Sequence, residues 1–387
     1  MGEIANTFSG GTPSVSNKSY YNGDIPFIRS AEINKEKTEL FLTQEGIANS
    51  SAKLVRKGTL LYALYGATSG EVGIAKINGA INQAIMAIEP KKDNSYFIES
   101  WLIKNKEHII TTYLQGGQGN LSAKIIKSLS LGLPKIKEQF KVRDLITIVD
   151  YLISLQQRKL EQLKQLKKVM LQRLFVQNKE KLVPIIRFNN FNIQWRLNTL
   201  NGLQENVYSG LSGKTKIDFG HGDARYITYL NVHDNIIAKV SGIDKIEKDL
   251  NQNKVEKGDI LFTISSEVPE EVALNSVWPS NYGKDLYLNS FCFGYRPIPG
   301  KVNPFFLSYY LRTPFLRKNV FPLAQGISRF NISKKNILNI SIAIPSLEEQ
   351  NSIYKLLAEL DKILDQKKMN INQFKAIKKF LLQKLFI

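Results

Sequence analysis

The chain has 387 residues and a formal net charge of +19, from 53 lysine and arginine residues against 34 aspartate and glutamate residues. This length predicts two or three globular units, and the charge favours a polyanionic partner such as nucleic acid, with a membrane surface as the rival. The single cysteine, Cys292, excludes an internal disulfide and a cysteine-rich zinc site. No run of about 18 apolar residues and no export signal is visible, so we expect a cytoplasmic protein that does not span a membrane.

The first lobe, residues 1–133, mixes short β-branched and aromatic runs with turns marked by glycine and proline. This pattern predicts a domain of mixed α and β structure, with a helix over residues 98–114. Three of its loops are polar, namely SGGTPSVSNKSYYNG, YGATSG and LQGGQGNLSAK. Such loops supply hydrogen-bond donors and acceptors that suit the edges of bases in a groove.

A long helix is predicted next, over residues 134–182. Apolar residues recur at steps of four and three from Val142 to Leu174, which is a heptad seam. About 38 residues at 1.5 Å per residue make a rod of about 57 Å, longer than a small domain is wide. A core helix inside the lobe is the alternative. Residues 183–195, which include Pro184 and several asparagines, form the predicted connector.

The rest of the chain repeats this plan, with a second lobe over residues 196–344 and a second long helix over residues 345–387. At a shift of 211 residues the helices align without a gap, so that Asp150 pairs with Asp361. The chain is therefore a tandem duplication of a lobe followed by a helix. The second lobe has its own predicted helix, over residues 303–319. Each apolar seam is buried most simply against the other long helix, and the residues predicted to form this packing are Val149, Ile153, Leu160, Leu163, Met170, Leu360, Leu364, Ile371, Phe374 and Leu381.

Motifs for catalysis are missing or incomplete. The glycines of YGATSGEVG are not followed by Gly-Lys-Ser or Gly-Lys-Thr, so a nucleotide-binding P-loop is excluded. Asn303-Pro304-Phe305-Phe306 is similar to the Asn-Pro-Pro-Tyr motif that holds a flipped adenine in amino-methyltransferases, but its second proline is absent. The three histidines lack metal-ligand spacing, and no nucleophile arrangement is visible. We therefore predict no catalytic residue, no metal site and no cofactor site in this chain.

What remains is a set of side chains suited to DNA recognition, in which cations, aromatics, hydroxyls and amides are interleaved across both lobes. A solvated surface role is the alternative for each of them taken singly. The residues predicted to contact DNA are Thr12, Ser14, Arg29, Tyr65, Thr68, Ser69, Gln118, Asn120, Lys124, Lys214, Lys216, Arg225, Tyr229, Ser265, Ser266 and Arg329. The first lobe has the loop YGAT where the second has TISSEVPEEV, so the two lobes are predicted to read different sequences.

Several stretches are distinctive together: SGGTPS with YYNGDIPFIR, YGATSGEVG with NQAIMAIEP, GQGNLS, and LPKIKEQ leading into the lysine-rich helix that ends in MLQRLF, or in LLQKLF in the second copy. Over nearly the whole chain, this set resembles the specificity subunit of type I restriction-modification systems. The resemblance implies an α+β fold in which two mixed target recognition domains are joined by two long antiparallel coiled-coil helices, with pseudo-twofold symmetry. Each domain would read one half of a split, asymmetric DNA site, and the helices would act as the spacer.

The resemblance also implies partners. Type I methyltransferase subunits would dock on this frame and bring S-adenosylmethionine, while restriction subunits would use ATP and Mg. The chain itself would bind double-stranded DNA without catalysis and without a membrane. Two alternatives stay open, a basic coiled-coil scaffold that binds nucleic acid non-specifically and a solitary adenine methyltransferase, against which the incomplete Asn303 motif argues.

Overall fold

The structure, a computed structural model, describes residues 1–114, 120–178 and 180–386. The chain divides into two compact units, of which unit 1 is Met1–Arg158 with Lys368–Ile387 and unit 2 is Lys159–Lys367. Each unit therefore contains one lobe and one segment of each long helix. Among the described residues, no helix is long and apolar enough to cross a membrane.

The helices include two that far exceed the others in length. In chain order the α-helices of the described residues are α1 (Gln44–Ala48), α2 (Ser95–Tyr113), α3 (Ala123–Ser128), α4 (Ile136–Arg173), α5 (Leu200–Leu203), α6 (Tyr229–Asp234), α7 (Pro304–Leu311), α8 (Pro314–Val320), α9 (Lys334–Leu338) and α10 (Leu347–Leu385). Helix α2 matches the helix predicted over residues 98–114. The single helix predicted over residues 303–319 is wrong, because Thr313 caps a new helix and Pro314 cannot donate the hydrogen bond that would continue α7.

The first lobe is built on two four-stranded sheets. Its strands are β1 (Ala5–Ser9), β2 (Tyr21–Ile28), β3 (Leu40–Leu42), β4 (Lys53–Val55), β5 (Leu60–Ala63), β6 (Val72–Ile74), β7 (Gly79–Ile81) and β8 (Ile85–Pro90). One sheet has the order β1-β8-β5-β6 and is antiparallel, and the other has the order β3-β2-β7-β4, in which β2 and β7 are parallel. All four residues of β5 are buried, so this strand lies in the core of the lobe.

The second lobe repeats the first sheet. Its strands are β9 (Arg196–Thr199), β10 (Gln204–Ser209), β11 (Phe219–Ile227), β12 (Ile243–Ile246), β13 (Ile260–Thr263), β14 (Ser265–Ser266), β15 (Asn275–Val277), β16 (Leu286–Leu288), β17 (Cys292–Pro297), β18 (Phe330–Asn331) and β19 (Ser341–Ile344). The order β10-β17-β13-β15 corresponds to β1-β8-β5-β6, and β13 is fully buried like β5. The order β12-β11-β16 corresponds to three strands of the other sheet, and the remaining pairs are β14-β18 and β19-β9. The mixed, duplicated fold predicted from the sequence is confirmed.

A buried glutamine fixes the start of each long helix to its lobe. In unit 1, Gln139 Nε2 donates to the Pro134 carbonyl oxygen at 3.0 Å, and Gln139 Oε1 accepts from the Asn94 N–H at 2.9 Å. The aligned Gln350 of unit 2 makes the same pair of contacts, donating at 2.9 Å to the carbonyl oxygen of its own proline and accepting at 2.7 Å from the Asn303 N–H. These contacts satisfy the hydrogen-bonding groups of a buried side-chain amide and set the direction in which the helix leaves the lobe.

The structure gives Asn303 a local role that explains the motif without a methyltransferase. Its side-chain oxygen accepts from the N–H groups of Phe305 and Phe306, at 2.8 and 3.1 Å, and so caps α7. Pro304 then occupies the first helical position, where its missing N–H costs nothing. Phe306 is fully buried rather than open to a flipped base. Asn303 is therefore a helix cap.

The long helices run antiparallel within each unit. In unit 1 the Lys378 ammonium lies 2.6 Å from the Asp150 carboxylate, and Val142 joins Phe386 in one buried cluster. In unit 2, Lys167 forms an ion pair with Asp361. Asp150 and Asp361 are equivalent in the repeat, as are Lys167 and Lys378, so the same ion pair is formed twice with the roles of the two helices exchanged. The duplicated sequence therefore accounts for a duplicated helix contact.

The ten residues predicted to pack between the helices are all buried or half-buried. The first long helix, however, ends at Arg173 rather than at residue 182. Phe175 leaves the helix and stacks on Tyr310, with ring centroids 4.8 Å apart. Residues 176–182 contain no proline or glycine, so the local pattern gave no reason to stop before Pro184. A tertiary contact, rather than a sequence signal, terminates this helix.

Candidate nucleic-acid interface

In both lobes the segment after the buried central strand pairs with an asparagine that precedes a short helix. Tyr65 bridges to Asn120 in the first lobe, and Ser265 pairs with Asn331 in the second. Asn120 and Asn331 are equivalent in the repeat. We call the two regions the bridge surfaces, made of residues 65–69 with 120–124 in the first lobe and of residues 265–266 with 325–334 in the second.

The bridge surface of the first lobe collects four predicted DNA contacts. Tyr65, Asn120 and Lys124 are exposed, and Asn120 Oδ1 accepts from the Gly66 N–H at 3.4 Å. Thr68 is half-buried and donates to the Tyr65 carbonyl oxygen at 3.2 Å, which closes the turn. Gly66 has a φ of +71°, a conformation that favours glycine. The turn therefore presents Tyr65 beside a cation and an amide.

Two predicted contacts of the first lobe differ from this pattern. Ser69 is buried and donates to the Leu64 carbonyl oxygen at 3.2 Å, so it supports the loop from beneath. Its short side chain satisfies a backbone group and is closed off from solvent. The predicted contact Gln118 lies outside the described residues.

The bridge surface of the second lobe carries a hairpin closed by two backbone hydrogen bonds of 2.8 Å between Gln325 and Asn331. The Arg329 guanidinium stacks over the Phe291 ring, 4.8 Å from its centroid, and both side chains are exposed. Ser265 and Ser266 are buried, which contradicts their predicted contact with bases, and their strand pairs edge to edge with the hairpin. Tyr229 is half-buried and donates to the Ser265 carbonyl oxygen at 2.7 Å.

Lys334 belongs to the same surface and was missed from the sequence. Its ammonium donates to Ser209 Oγ at 2.6 Å and lies 5.9 Å from the centroid of the Phe293 ring. In the repeat it aligns with Ala123, next to the predicted contact Lys124. The alignment carries Lys124 onto the residue after Lys334, so only the contacts in the fold place Lys334 on this surface.

The loops that follow the equivalent strands β1 and β10 form a second polar region in each lobe. In the first lobe, Thr12 and Ser14 are exposed, and Thr12 donates to the side chain of Gln83. In the second lobe, Lys216 is exposed, while Lys214 lies 2.9 Å from the Asp249 carboxylate. The hydrogen bond with Asp249 raises the pKa of Lys214, so its charge is held within the lobe. Three of these four side chains are exposed to solvent.

Arg29 and Arg225 already have partners inside their lobes. Arg29 donates to Glu32 at 3.0 Å through two nitrogens and also contacts Glu39. Burial raises the pKa of Glu32, but hydrogen bonds led by that from Arg29 outweigh it and lower this pKa to about 2. Arg225 donates to the carbonyl oxygens of Gly222 and Ala224 at 3.0 and 2.8 Å. These contacts give both arginines a structural role that a base would have to displace.

A half-buried carboxyl group, Glu99, lines a cavity of about 440 Å³ in unit 1. Burial raises the pKa of Glu99 to about 7, and Asp150 adds to the rise, while Lys378, the Ile74 N–H and Lys76 oppose it. Since Asp150 and Lys378 are the ion pair that joins the long helices of this unit, the protonation of Glu99 alters the field at that contact.

Glu99 predicts a pH dependence of stability. Its pKa is higher in the folded unit than the 4.5 expected when unfolded, so the folded unit retains the proton over this window and its free energy of unfolding falls as pH rises from about 4.5 to 7. We expect Glu99→Gln to remove about 1–3 kcal/mol of this fall, after allowance for solvent screening. Urea denaturation at pH 5 and pH 8 measures it. The control is Glu107→Gln on the exposed face of the same helix, and equal pH dependence in both variants would contradict the prediction.

Comparison with known proteins shows which protein family the chain belongs to. Residues 1–165 and 195–375 match the type I restriction modification DNA specificity domain. The chain belongs to the type I restriction-modification specificity family. One matched region lies in each copy of the repeat. Among the described residues, no group of three or more histidine, cysteine, aspartate or glutamate side chains could hold a metal ion.

Relatives in this specificity family match either the whole chain or part of it. The MjaVIII specificity subunit of Methanocaldococcus jannaschii is 23% identical over 416 residues, covering 100% of this chain and 90% of its own. The MjaIX specificity subunit of the same organism is 30% identical over 165 residues, covering 40% of this chain and 37% of its own. The solved specificity subunit from M. genitalium is 18% identical with a TM-score of 0.59, covering 100% of this chain and 94% of that one, and confirms the fold. The recognition made from the sequence is confirmed.

Proposed function

We propose that this specificity subunit reads a bipartite, asymmetric DNA site with its two bridge surfaces and is not itself an enzyme. The carrying observation is that the two surfaces share one backbone plan but present different side chains. The first offers Tyr65, Asn120 and Lys124, and the second offers Arg329 and Lys334. Cations and aromatics of this kind contact phosphates and base edges, and different side chains select different bases.

The long helices supply the docking surface for partner subunits in this proposal. In unit 1, Ile148 and Tyr151 of α4 are 57% and 66% exposed, and Met369 and Phe380 of α10 are also exposed. Apolar side chains in rows on an otherwise charged helix suit a helix of a partner. We propose that type I methyltransferase subunits dock here and bring S-adenosylmethionine, and that restriction subunits bring ATP and Mg, all in the cytoplasm.

Selection from a random pool of DNA duplexes tests the function. With a co-expressed methyltransferase subunit, the chain should select and methylate one bipartite site, whereas the chain alone should transfer no methyl group from labelled S-adenosylmethionine. Methyl transfer by the chain alone would favour the solitary methyltransferase. Binding without any sequence preference would favour the non-specific scaffold.

Single substitutions in the same selection should separate the two half-sites. We expect Tyr65→Ala to alter the preference in one half and Arg329→Ala to alter it in the other, by about 1–3 kcal/mol of discrimination at the bases concerned. Lys301→Ala is the control, because Lys301 is exposed and lines a groove with the connector and the start of α10, which are not part of the bridge surface. A uniform loss across all sequences for Tyr65→Ala and Arg329→Ala would reduce them to backbone contacts.

A further inference from the structure

The hairpin of the second bridge surface holds an isoleucine almost entirely in solvent. Ile327 is 97% exposed, the highest fraction among the exposed large apolar side chains of the described residues. An aliphatic side chain gains nothing from water, and it has no apolar neighbour to cover it in the lobe. Because Ile327 lies at the tip of a hairpin on the proposed DNA-reading surface, we expect a bound molecule to cover it.

Several contacts hold this tip in one place. The backbone pair between Gln325 and Asn331 closes the hairpin, and the pairing of Asn331 with Ser265 ties it to the segment that follows the buried strand β13. Gly326 has a φ of +136°, and a Cβ there would overlap the Arg329 carbonyl oxygen. The turn is therefore tight, and Ile327 projects from a braced loop.

The surroundings of Ile327 are cationic and aromatic. Arg329, two residues away, is exposed and stacks on Phe291, and Lys334 follows the hairpin at the start of α9. An apolar tip flanked by cations matches the way proteins insert an aliphatic side chain between base steps while neighbouring arginines and lysines contact phosphates. A protein partner would instead be expected to meet a larger apolar area than one side chain.

We propose that Ile327 is a specificity-determining residue that inserts as an apolar wedge into the base stack of the half-site read by the second lobe. The inference rests on the proposed function. Insertion unstacks one base step, and steps that unstack easily, such as pyrimidine followed by purine, are favoured at that position. Ile327 thus selects sequence through the deformability of the duplex.

The repeat makes the wedge a property of one lobe. At the shift of 211 residues, Ile327 aligns with Gly116, which has no side chain to insert. The half-site read by the first lobe should therefore keep its base stack. This difference provides an internal control within a single DNA duplex.

The test uses the full chain with its methyltransferase subunit, bound to the selected duplex with 2-aminopurine placed in turn at each position of both half-sites. Fluorescence should rise at one step of the second-lobe half-site and nowhere in the other. Ile327→Ala should abolish the rise and weaken binding about tenfold, and Ile327→Leu should preserve both. The matched control is Ile193→Ala, whose side chain is 74% exposed in the connector, and it should behave as the wild type.

Each contrary outcome has a distinct meaning. A wild type that selects its site but shows no fluorescence change, or an Ile327→Ala variant that keeps the full change, would overturn the wedge and leave the proposed function standing. Ile327→Ala that loses the methyltransferase subunit but binds DNA normally would overturn the wedge in favour of a protein contact. A wild type without sequence preference would overturn the proposed function and the wedge together.

Discussion

Deletion of residues 157–163 together with residues 368–374 should shorten the gap between the two half-sites by about three base pairs. Each deletion removes one heptad, which shortens a helix by about 10.5 Å at 1.5 Å per residue, while successive base pairs are about 3.4 Å apart. The bridge surfaces lie outside both deletions, so the two half-site sequences should stay the same. Mapping methylated positions with the partner methyltransferase subunit measures the gap.

The fold should survive this double deletion. A deletion of seven residues preserves the heptad seam. Both deletions fall between the aspartate and the lysine of their own helix, so the ion pairs of Asp150 with Lys378 and of Lys167 with Asp361 are kept. The single deletions are the controls, because each puts the two helices out of register. They should lose methylation of the site by the partner methyltransferase subunit. An unchanged gap in an active double deletion would show that helix length does not set the spacing.

Arg187→Ala should destabilise unit 2 by about 3–5 kcal/mol, because it leaves a buried carboxylate without its cation. Arg187 donates to both oxygens of Glu349 at 2.7 Å, and Trp195 Nε1 donates to the same carboxylate at 3.2 Å. Glu349 is only 1% exposed. This group of three residues ties the connector to the start of α10 in the same unit.

Urea denaturation measures the cost of Arg187→Ala. Arg196→Ala, at an exposed arginine near the same segment, should change the free energy of unfolding by less than about 0.5 kcal/mol. The double variant Arg187→Met with Glu349→Leu should recover much of the loss, since apolar residues of similar volume remove the buried charge. A loss below about 1 kcal/mol for Arg187→Ala would show that water reaches Glu349.

Equivalent residues in the two copies of the repeat have different neighbours. Residues 341–344 form β19 and pair with β9, whereas the aligned residues 130–133 of the first lobe lie outside its strands. Likewise the buried Glu349 aligns with Glu138, which is exposed. The same sequence plan therefore has different surroundings in its two copies. Alignment of the copies predicted the elements, but it could not predict which neighbours would cover them.

The sequence by itself determined the duplication, the two long helices, the mixed lobes and the family, because these depend on periodicity and on motifs that persist over many residues. Tertiary structure decided which polar side chains are available. Arg29, Ser265 and Lys124 were all predicted to contact DNA. Lys124 is exposed, whereas Arg29 is held by carboxylates and Ser265 is buried. Burial and partnership come from residues distant in the chain, and local composition carries no record of them. For the same reason only the fold revealed that Arg173 ends the first long helix, that Lys334 joins the bridge surface and that Ile327 is held in solvent.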